Sequence, residues 1–460
     1  MSNSFEHIEI NAENPFKNDK FNREVVADNL ESLIKKSNDN LVISIDANWG
    51  MGKTTFVNMW RKKLDNIGDY KTVYFSAWEN DDSNDPLVSI ICNMEKSLSS
   101  MENYKTEKIK EVGKHLIKKS VPIALKILTH GLIDTEKLNI SDFNKEKIVE
   151  LAGEIGSIEL EKYKEEAQAK EKFKEELKNY QQSIDKKIIF FIDELDRCRP
   201  TYAIETLERI KHLFNIEGYI FILSLDKSQL RHCVKLLYGN EVDSVGYLRR
   251  FIDLEYSLPE PDRSIYLDFL INKFEFKSEV TEKFFIPYLK ALVTQYNLSL
   301  RDINKLMYYL HIIFPRSNFC DLSNDYKFSP YSMMKLQILS SIYSLFPVLR
   351  IGAYDKYQKF LEGDYKFELD FTDEIIPFSP KDVYKNKDRK DFDSIFKHIV
   401  HNILKLHKDS IEGTIDKRHN NYSVNFHEDA MELDLSELLD SKREKLKFIN
   451  NLEFADRFDF

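Results

Sequence analysis

Two short stretches carry side chains whose types and spacing suit phosphate chemistry. The first is Ala47-Asn48-Trp49-Gly50-Met51-Gly52-Lys53-Thr54-Thr55. Gly50 and Gly52 let the backbone bend so that successive N–H groups converge on phosphate oxygens, at the positive end of a following helix. Lys53 would reach the β- and γ-phosphates, and the Thr54 hydroxyl would ligate magnesium. Asn48, Trp49, Gly50, Met51, Gly52, Lys53, Thr54 and Thr55 are therefore the expected nucleotide-binding loop. The plainer alternative is a glycine-containing turn ahead of an amphipathic helix, and a G-K-[ST] match does not separate the two by itself. Position does: a phosphate loop follows an apolar strand and precedes a helix. Ala47 stands where such loops usually open with glycine. One methyl group there is compatible with a working loop if the backbone keeps φ negative.

The second stretch lies well over a hundred residues further on, where the apolar run KIIFFI (187–192) ends in Asp193-Glu194-Leu195-Asp196-Arg197. A carboxylate at the C-terminal end of a buried parallel strand points into the crevice where such sheets bind ligands. Asp193 is placed to hold magnesium through its water shell. Glu194 is placed to orient and deprotonate an attacking water. Four charges that only solvate a strand-to-helix turn would give the same letters, and the phosphate loop upstream is what favours chemistry.

The elements around these stretches have the required order. Residues 26–37 (VADNLESLIKKS) show helical apolar spacing, and Leu41–Ile45 is a short strand running into the glycine loop. A helix is expected from Lys53 to about Leu64, with Phe56, Val57, Met59 and Trp60 inward. A strand over Thr72–Phe75, a polar loop and a helix over 86–101 follow. Residues 102–184 turn charged and glycine-poor, with Leu160, Tyr163, Ala167, Phe173, Leu177 and Tyr180 as a narrow apolar stripe, and read as a helical insertion projecting from the core. Strands at Lys187–Ile192 and Tyr219–Leu225, with helices at Ala203–Phe214 and Lys227–Leu237, complete a parallel sheet covered on both sides. Residues from about 262 to 315 look all-helical, and beyond 320 the pattern is mixed. The expected fold is thus α/β, a parallel sheet flanked by helices. Its parts are a first core segment over 1–101, an insertion over 102–184, a second core segment over 185–261, a helical lid over 262–319 and a separate C-terminal region over 320–460.

Composition narrows the function. Over 460 residues, 42% apolar and 31% charged content permits two or three folded domains and argues against disorder. A net charge of −10 argues against a surface that coats nucleic acid. Cys92, Cys198, Cys233 and Cys320 are scattered without a paired or histidine-flanked pattern, which points to a reduced, cytoplasmic protein without a zinc site. The opening residues lack a basic stretch followed by an apolar run, so no secretion signal is expected. Ser120–Ile133 is the most apolar segment, but Lys126 and His130 interrupt it and it falls short of the ~20 residues a span needs.

With these residues in view, the chain resembles the KAP family of P-loop NTPases. DELDRCRP at Asp193–Pro200 and the tryptophan-bearing loop ANWGMGKTT carry the likeness. FSAWEND at Phe75–Asp81, FILSLDKSQL at Phe221–Leu230, YLRRFIDLEYSLPEP at Tyr247–Pro261 and LSLRDINKLM at Leu298–Met307 extend it in the family's order. It covers roughly residues 14–315. The resemblance implies ATP hydrolysis with magnesium, held by Thr54 and Asp193, with Lys53 and Glu194 catalytic. It also nominates Arg249 and Arg250 as charge supplied to a neighbouring subunit's γ-phosphate, and Arg301 as a lid arginine that senses nucleotide in its own chain. A solvated or salt-bridged edge is the competing role for the arginine pair. Many family members carry membrane helices between the two phosphate-site motifs; this insertion is soluble in composition, so no membrane role is expected. Bacterial members often act against phage with effector proteins. The implied partners are accordingly ATP, further copies of the chain and a protein effector, with nucleic acid not favoured. A nucleotide-gated switch that hydrolyses slowly is the alternative reading.

Several nearby residues invite smaller expectations. Arg197 suits pairing with Asp196 or a phosphate, Cys198 suits packing, and Trp78 suits packing near the ligand-facing end of the sheet. Asn14-Pro15-Phe16 fits either an adenine wall or a turn anchored by its phenylalanine. His398 and His401 share helical spacing, with His407 just beyond, but a mixed helix surface explains them better than a metal site.

Overall fold

The computed structural model describes residues 9–37, 39–83, 85–98, 107–119, 145–313 and 330–362, with short pieces between 402 and 434. Ser120–Ile133, Cys320, His398, His401 and His407 lie outside the described residues. The described chain divides into two compact units, one within His7–Glu260 and one from Pro261 onward.

The first unit is built on a sheet. Its strands are β1 (Leu41–Asp46), β2 (Tyr70–Ser76), β3 (Lys187–Asp193), β4 (Tyr219–Leu225) and β5 (Leu254–Ser257). They run parallel in the order β2-β3-β4-β1-β5. Because a strand turns alternate side chains to opposite faces, each apolar run splits between two cores. Ile188, Phe190 and Ile192 of β3, with Tyr219, Phe221 and Leu223 of β4, enter the core shared with α3 (Pro86–Leu98), α4 (Glu107–Lys119), α6 (Pro200–Leu213) and α7 (Lys227–Tyr238). Ile189 and Phe191, with Ile220, Ile222, Ile43 and Ile45, enter the core of α1 (Glu24–Lys36) and α2 (Lys53–Ile67). Trp60 of α2 closes that second core, edge-on to Phe191 with ring centroids 5.4 Å apart. By the same alternation Asp193 ends β3 on the α2 side, the side to which the glycine loop leads.

Two features depart from the sequence reading. The insertion does not simply project: Phe173, Leu177 and Tyr180, on the last turns of α5 (Lys145–Ile184), are fully buried in the first core. There Phe173 meets Phe214 edge-on, and the Tyr219 hydroxyl donates to the Leu177 carbonyl at 2.8 Å. Within the expected stripe Ala167 is exposed, and Ala169 is buried instead. The second departure is β5, which the sequence did not announce. Among the described residues it pairs with β1 alone, and three of its four residues are exposed, so it has no apolar run or alternation to betray it.

The second unit holds α9 (Arg263–Lys273), α10 (Ile286–Gln295), α11 (Leu300–Ile313), α12 (Pro330–Gly352) and α13 (Tyr354–Leu361). Asp262 caps α9 by accepting the Ser264 and Ile265 N–H groups. Ser299 and Asp302 close a reciprocal box at the start of α11, each side chain accepting the other's N–H. α12 packs on both α10 and α11. Among the described residues, no helix is long and apolar enough to cross a membrane.

Candidate functional site

The glycine loop joins β1 to α2. Gly50 at φ 76° and Gly52 at φ 81° both occupy the left-handed region, which a side chain disfavours. Alternation of such residues with ordinary ones is the geometry that turns consecutive N–H groups into one concavity. Ala47 keeps a negative φ, and its N–H donates to the Leu225 carbonyl at 3.4 Å. Its methyl group packs at the edge of the α1–α2 core. The alanine therefore directly follows β1 while still bonded to β4, and the bend begins after it.

Lys53, the first residue of α2, is only 8% exposed. Its ammonium turns back on the loop and donates to the Ala47 and Asn48 carbonyls. Burial lowers its pKa, against the opposing pull of Asp196 first and then Asp226, Asp193 and Asp46. Asn48 and Trp49 lie at the surface, with the Trp49 indole N–H donating to the Asp196 carboxylate. Burial raises the Asp196 pKa, and the indole and Lys53 oppose the rise. This bond ties the first stretch to the second, a link that spacing alone does not reveal.

Across the sheet Asp193 is 1% exposed, and its carboxylate accepts the Tyr74 hydroxyl at 3.3 Å and the Glu194 N–H at 3.0 Å. Register aligns Ser76, Asp193 and Ser224 across β2, β3 and β4. Glu194 takes φ 62°, a left-handed conformation that costs a residue with a side chain about 1 kcal/mol. Its carboxylate pairs with Arg197 at 2.7 Å and accepts the Ser76 hydroxyl at 3.3 Å. Burial raises the Glu194 pKa, with the Arg197 guanidinium the main force against the rise. A carboxylate with a raised pKa is a better base than a free one. A hydroxyl at the start of α2, Thr54, and the buried Asp193 carboxylate are hard oxygen donors of the kind magnesium takes. The Thr54 neighbour Lys53 lies in the field of that same Asp193. The donor set therefore fits the ion.

Residues 23–316 match the KAP family P-loop domain. The chain belongs to the KAP P-loop family. Phage T7 exclusion protein from Escherichia coli (strain K12) is 24% identical over 231 residues, which cover 48% of this chain and 30% of that protein. The chain thus spans about a third of the length of that relative. Among solved structures, the ORC2 protein of Aeropyrum pernix in ADPNP–ADP complexes is similar at a TM-score of 0.33 and 13% identity, over 72% of this chain and 70% of that one.

In this KAP domain the remaining nominated residues fall in separate places. Arg249 and Arg250 follow the short helix α8 (Ser244–Leu248), both exposed, with Arg250 5.8 Å from the Tyr247 ring. Arg301 is exposed in the first turn of α11, in the second unit. Thr55 sits half-buried in the first turn of α2. Arg197 pairs with Glu194 rather than with Asp196, whose position is taken by Trp49. Trp78 is not packed: it is 54% exposed, and the Arg197 guanidinium lies 5.6 Å from its ring. Cys198 is buried, and burial pushes its thiol well above the usual range, so it is a packing residue. Phe16 is buried in the α1–α2 core, as the anchored-turn reading of Asn14-Pro15-Phe16 expects.

Two residues of the site had no sequence signal. Arg23, next to α1, is 5% exposed and donates to the Gly52 carbonyl at 3.1 Å and the Met51 carbonyl at 2.8 Å. No motif letter marks it, because it acts on main chain nearly thirty residues away. Tyr74 is a second such residue, legible only once β2 and β3 are paired.

Proposed function

We propose that this KAP protein is a magnesium-dependent ATPase whose nucleotide sits on the glycine loop. The observation that carries this reading is the convergence of Lys53 with Asp193 and Asp196 at the C-terminal end of one parallel sheet, the crevice where such folds bind ligands. The N–H groups of Gly50, Met51, Gly52, Lys53 and Thr54, with Asn48, Trp49 and Thr55 beside them, hold the phosphates. Lys53 leaves its loop carbonyls to meet the terminal phosphates, where developing negative charge needs a cation. Thr54, and Asp193 through the ion's water shell, would hold magnesium, which would supply positive charge against the phosphates. Glu194 takes a proton from the attacking water as the terminal P–O bond breaks, releasing ADP and inorganic phosphate. Arg249 or Arg250 of an adjoining copy and Arg301 of the same chain supply further positive charge. The likeness to a phage exclusion protein supports a role in defence against phage; action in the cytoplasm, through assembly and a protein effector, is the further part of this proposal.

A second reading has its own observation. Glu194 is paired with Arg197 and held in a disfavoured backbone conformation, so its base is restrained. That favours a protein which binds ATP, turns it over slowly, and uses the bound state to control assembly or an effector. Phosphate release and particle mass, measured with and without Mg-ATP on wild type and Glu194→Gln, separate the readings. The ATPase reading expects steady phosphate release that falls about 100-fold or more in Glu194→Gln. Slow release beside an ATP-dependent mass change favours the switch. Failure of the wild type to bind ATP sinks both.

A further inference from the structure

Arg23 is a guanidinium buried beneath the phosphate loop, and burying a charge is costly unless its hydrogen bonds are made. Here burial lowers its pKa to about 10, with Asp19 the opposing influence. Asp19 does not, however, serve as a fork for the guanidinium. Its carboxylate accepts the main-chain N–H groups of Phe21, Arg23 and Glu24, which fixes the start of α1. The two Nη atoms are thereby left to the loop, and each takes one carbonyl there, Met51 and Gly52. The Phe21 ring covers the guanidinium at 5.1 Å. A side chain wanted only for filling would be apolar at this burial. This one is aimed.

Its targets decide what the aim achieves. In a trans peptide the C=O of one residue and the N–H of the next point in opposite directions. Holding the Met51 and Gly52 carbonyls toward Arg23 therefore points the Gly52 and Lys53 N–H groups away from it, to the loop's other side. Those are central donors of the phosphate cradle. The Gly52 carbonyl also accepts the Phe56 N–H at 3.1 Å, so Arg23 joins the loop to the first turn of α2. Lys53 holds the other end of the loop through Ala47 and Asn48, but it must leave to meet a phosphate, whereas Arg23 stays in place.

We propose that Arg23 is a positioning residue for the phosphate cradle, binding the Met51 and Gly52 carbonyls so that the Gly52 and Lys53 N–H groups face bound phosphate. This rests on reading the loop as the nucleotide site. The test is calorimetric binding of Mg-ATP and of tripolyphosphate, which has no base, to the full chain as wild type, Arg23→Met and Arg23→Lys. Unfolding midpoints are recorded with and without ATP. Arg23→Met is expected to weaken both ligands about tenfold or more, and to shrink the ATP-induced rise in midpoint. Arg23→Lys keeps the charge but loses the fork, and is expected to bind both ligands at least about threefold more weakly than wild type. Should Arg23→Met not fold, the lysine variant alone decides. Affinities within about twofold of wild type in every variant that folds overturn the proposal, whatever happens to the ligand-free midpoint. A wild type that binds neither ligand overturns the nucleotide reading itself, which is a different result.

Discussion

At the phosphate loop the carbonyls of Ala47, Asn48, Met51 and Gly52 are held by two buried cations, Lys53 and Arg23. At the end of β3 the Glu194 carboxylate is held instead by Arg197, which lies against the exposed ring of Trp78. The first arrangement is enclosed, so its bonds act in a medium where they are strong and hard to exchange for water. The second is half open, so its ion pair is weaker and easier to displace. On the proposed ATPase reading, the half meant to capture phosphate is therefore built in advance, while the half meant to activate water sits behind a contact that can be removed. The two halves should consequently fail differently when mutated.

The sharpest way to break the capture half is Lys53→Ala. It removes the cation that the terminal phosphates require and uncovers the Ala47 and Asn48 carbonyls. ATP affinity measured by calorimetry should fall about 100-fold. A loss smaller than about fivefold would mean that the loop amides alone carry the phosphates.

A smaller effect, and one of opposite sign, is expected from the activation half. Arg197 holds the Glu194 pKa down against burial, so Arg197→Ala should let it rise further. Glu194 must be deprotonated to accept a proton from water, so turnover falls as pH drops through that pKa. The acid limb of the pH–rate profile should lie above the usual carboxylate range in wild type and move to still higher pH in Arg197→Ala. At neutral pH, freeing the base should raise turnover about two- to fivefold if the ion pair is a restraint. A fall in turnover instead would place Arg197 among the groups that stabilise the transition state.

The comparison also separates what was legible in the sequence from what was not. The central strands β3 and β4 announced themselves because a strand covered on both faces is nearly apolar throughout, as KIIFFI and YIFILSL are, whereas the edge strand β2 was legible only over its apolar-rich part. The loop and the strand-end acids were legible because they depend on residue type at fixed local spacing. β5 was not, since an edge strand exposed along most of its length leaves no pattern. Arg23 and Tyr74 were not, because each acts on residues far away in sequence: Arg23 on main-chain atoms, which leave no complementary letter, and Tyr74 on Asp193, a partner that only strand pairing reveals. Trp78 was misread for a related reason. Tryptophan is mostly buried, and only the fold shows this one turned outward against an arginine.

Ala47 tests the finest point of the same contrast, whether the capture half depends on glycine at its entrance. The residue keeps a negative φ, donates to the Leu225 carbonyl at the end of β4, and packs its methyl group at the edge of the α1–α2 core. A glycine would loosen the unfolded chain and remove that contact, but it would not alter the bend, which begins with Gly50 at φ 76°. Ala47→Gly should therefore change ATP affinity by less than about threefold, with a small loss of thermal stability on the order of 0.5 kcal/mol. A gain in affinity of about tenfold or more would show that the methyl group stands in the way of the nucleotide and that the loop is tuned to bind weakly. An unchanged affinity would show that the Ala47 methyl group stands clear of the nucleotide and that the cradle is the work of Gly50, Gly52 and the cations beneath them.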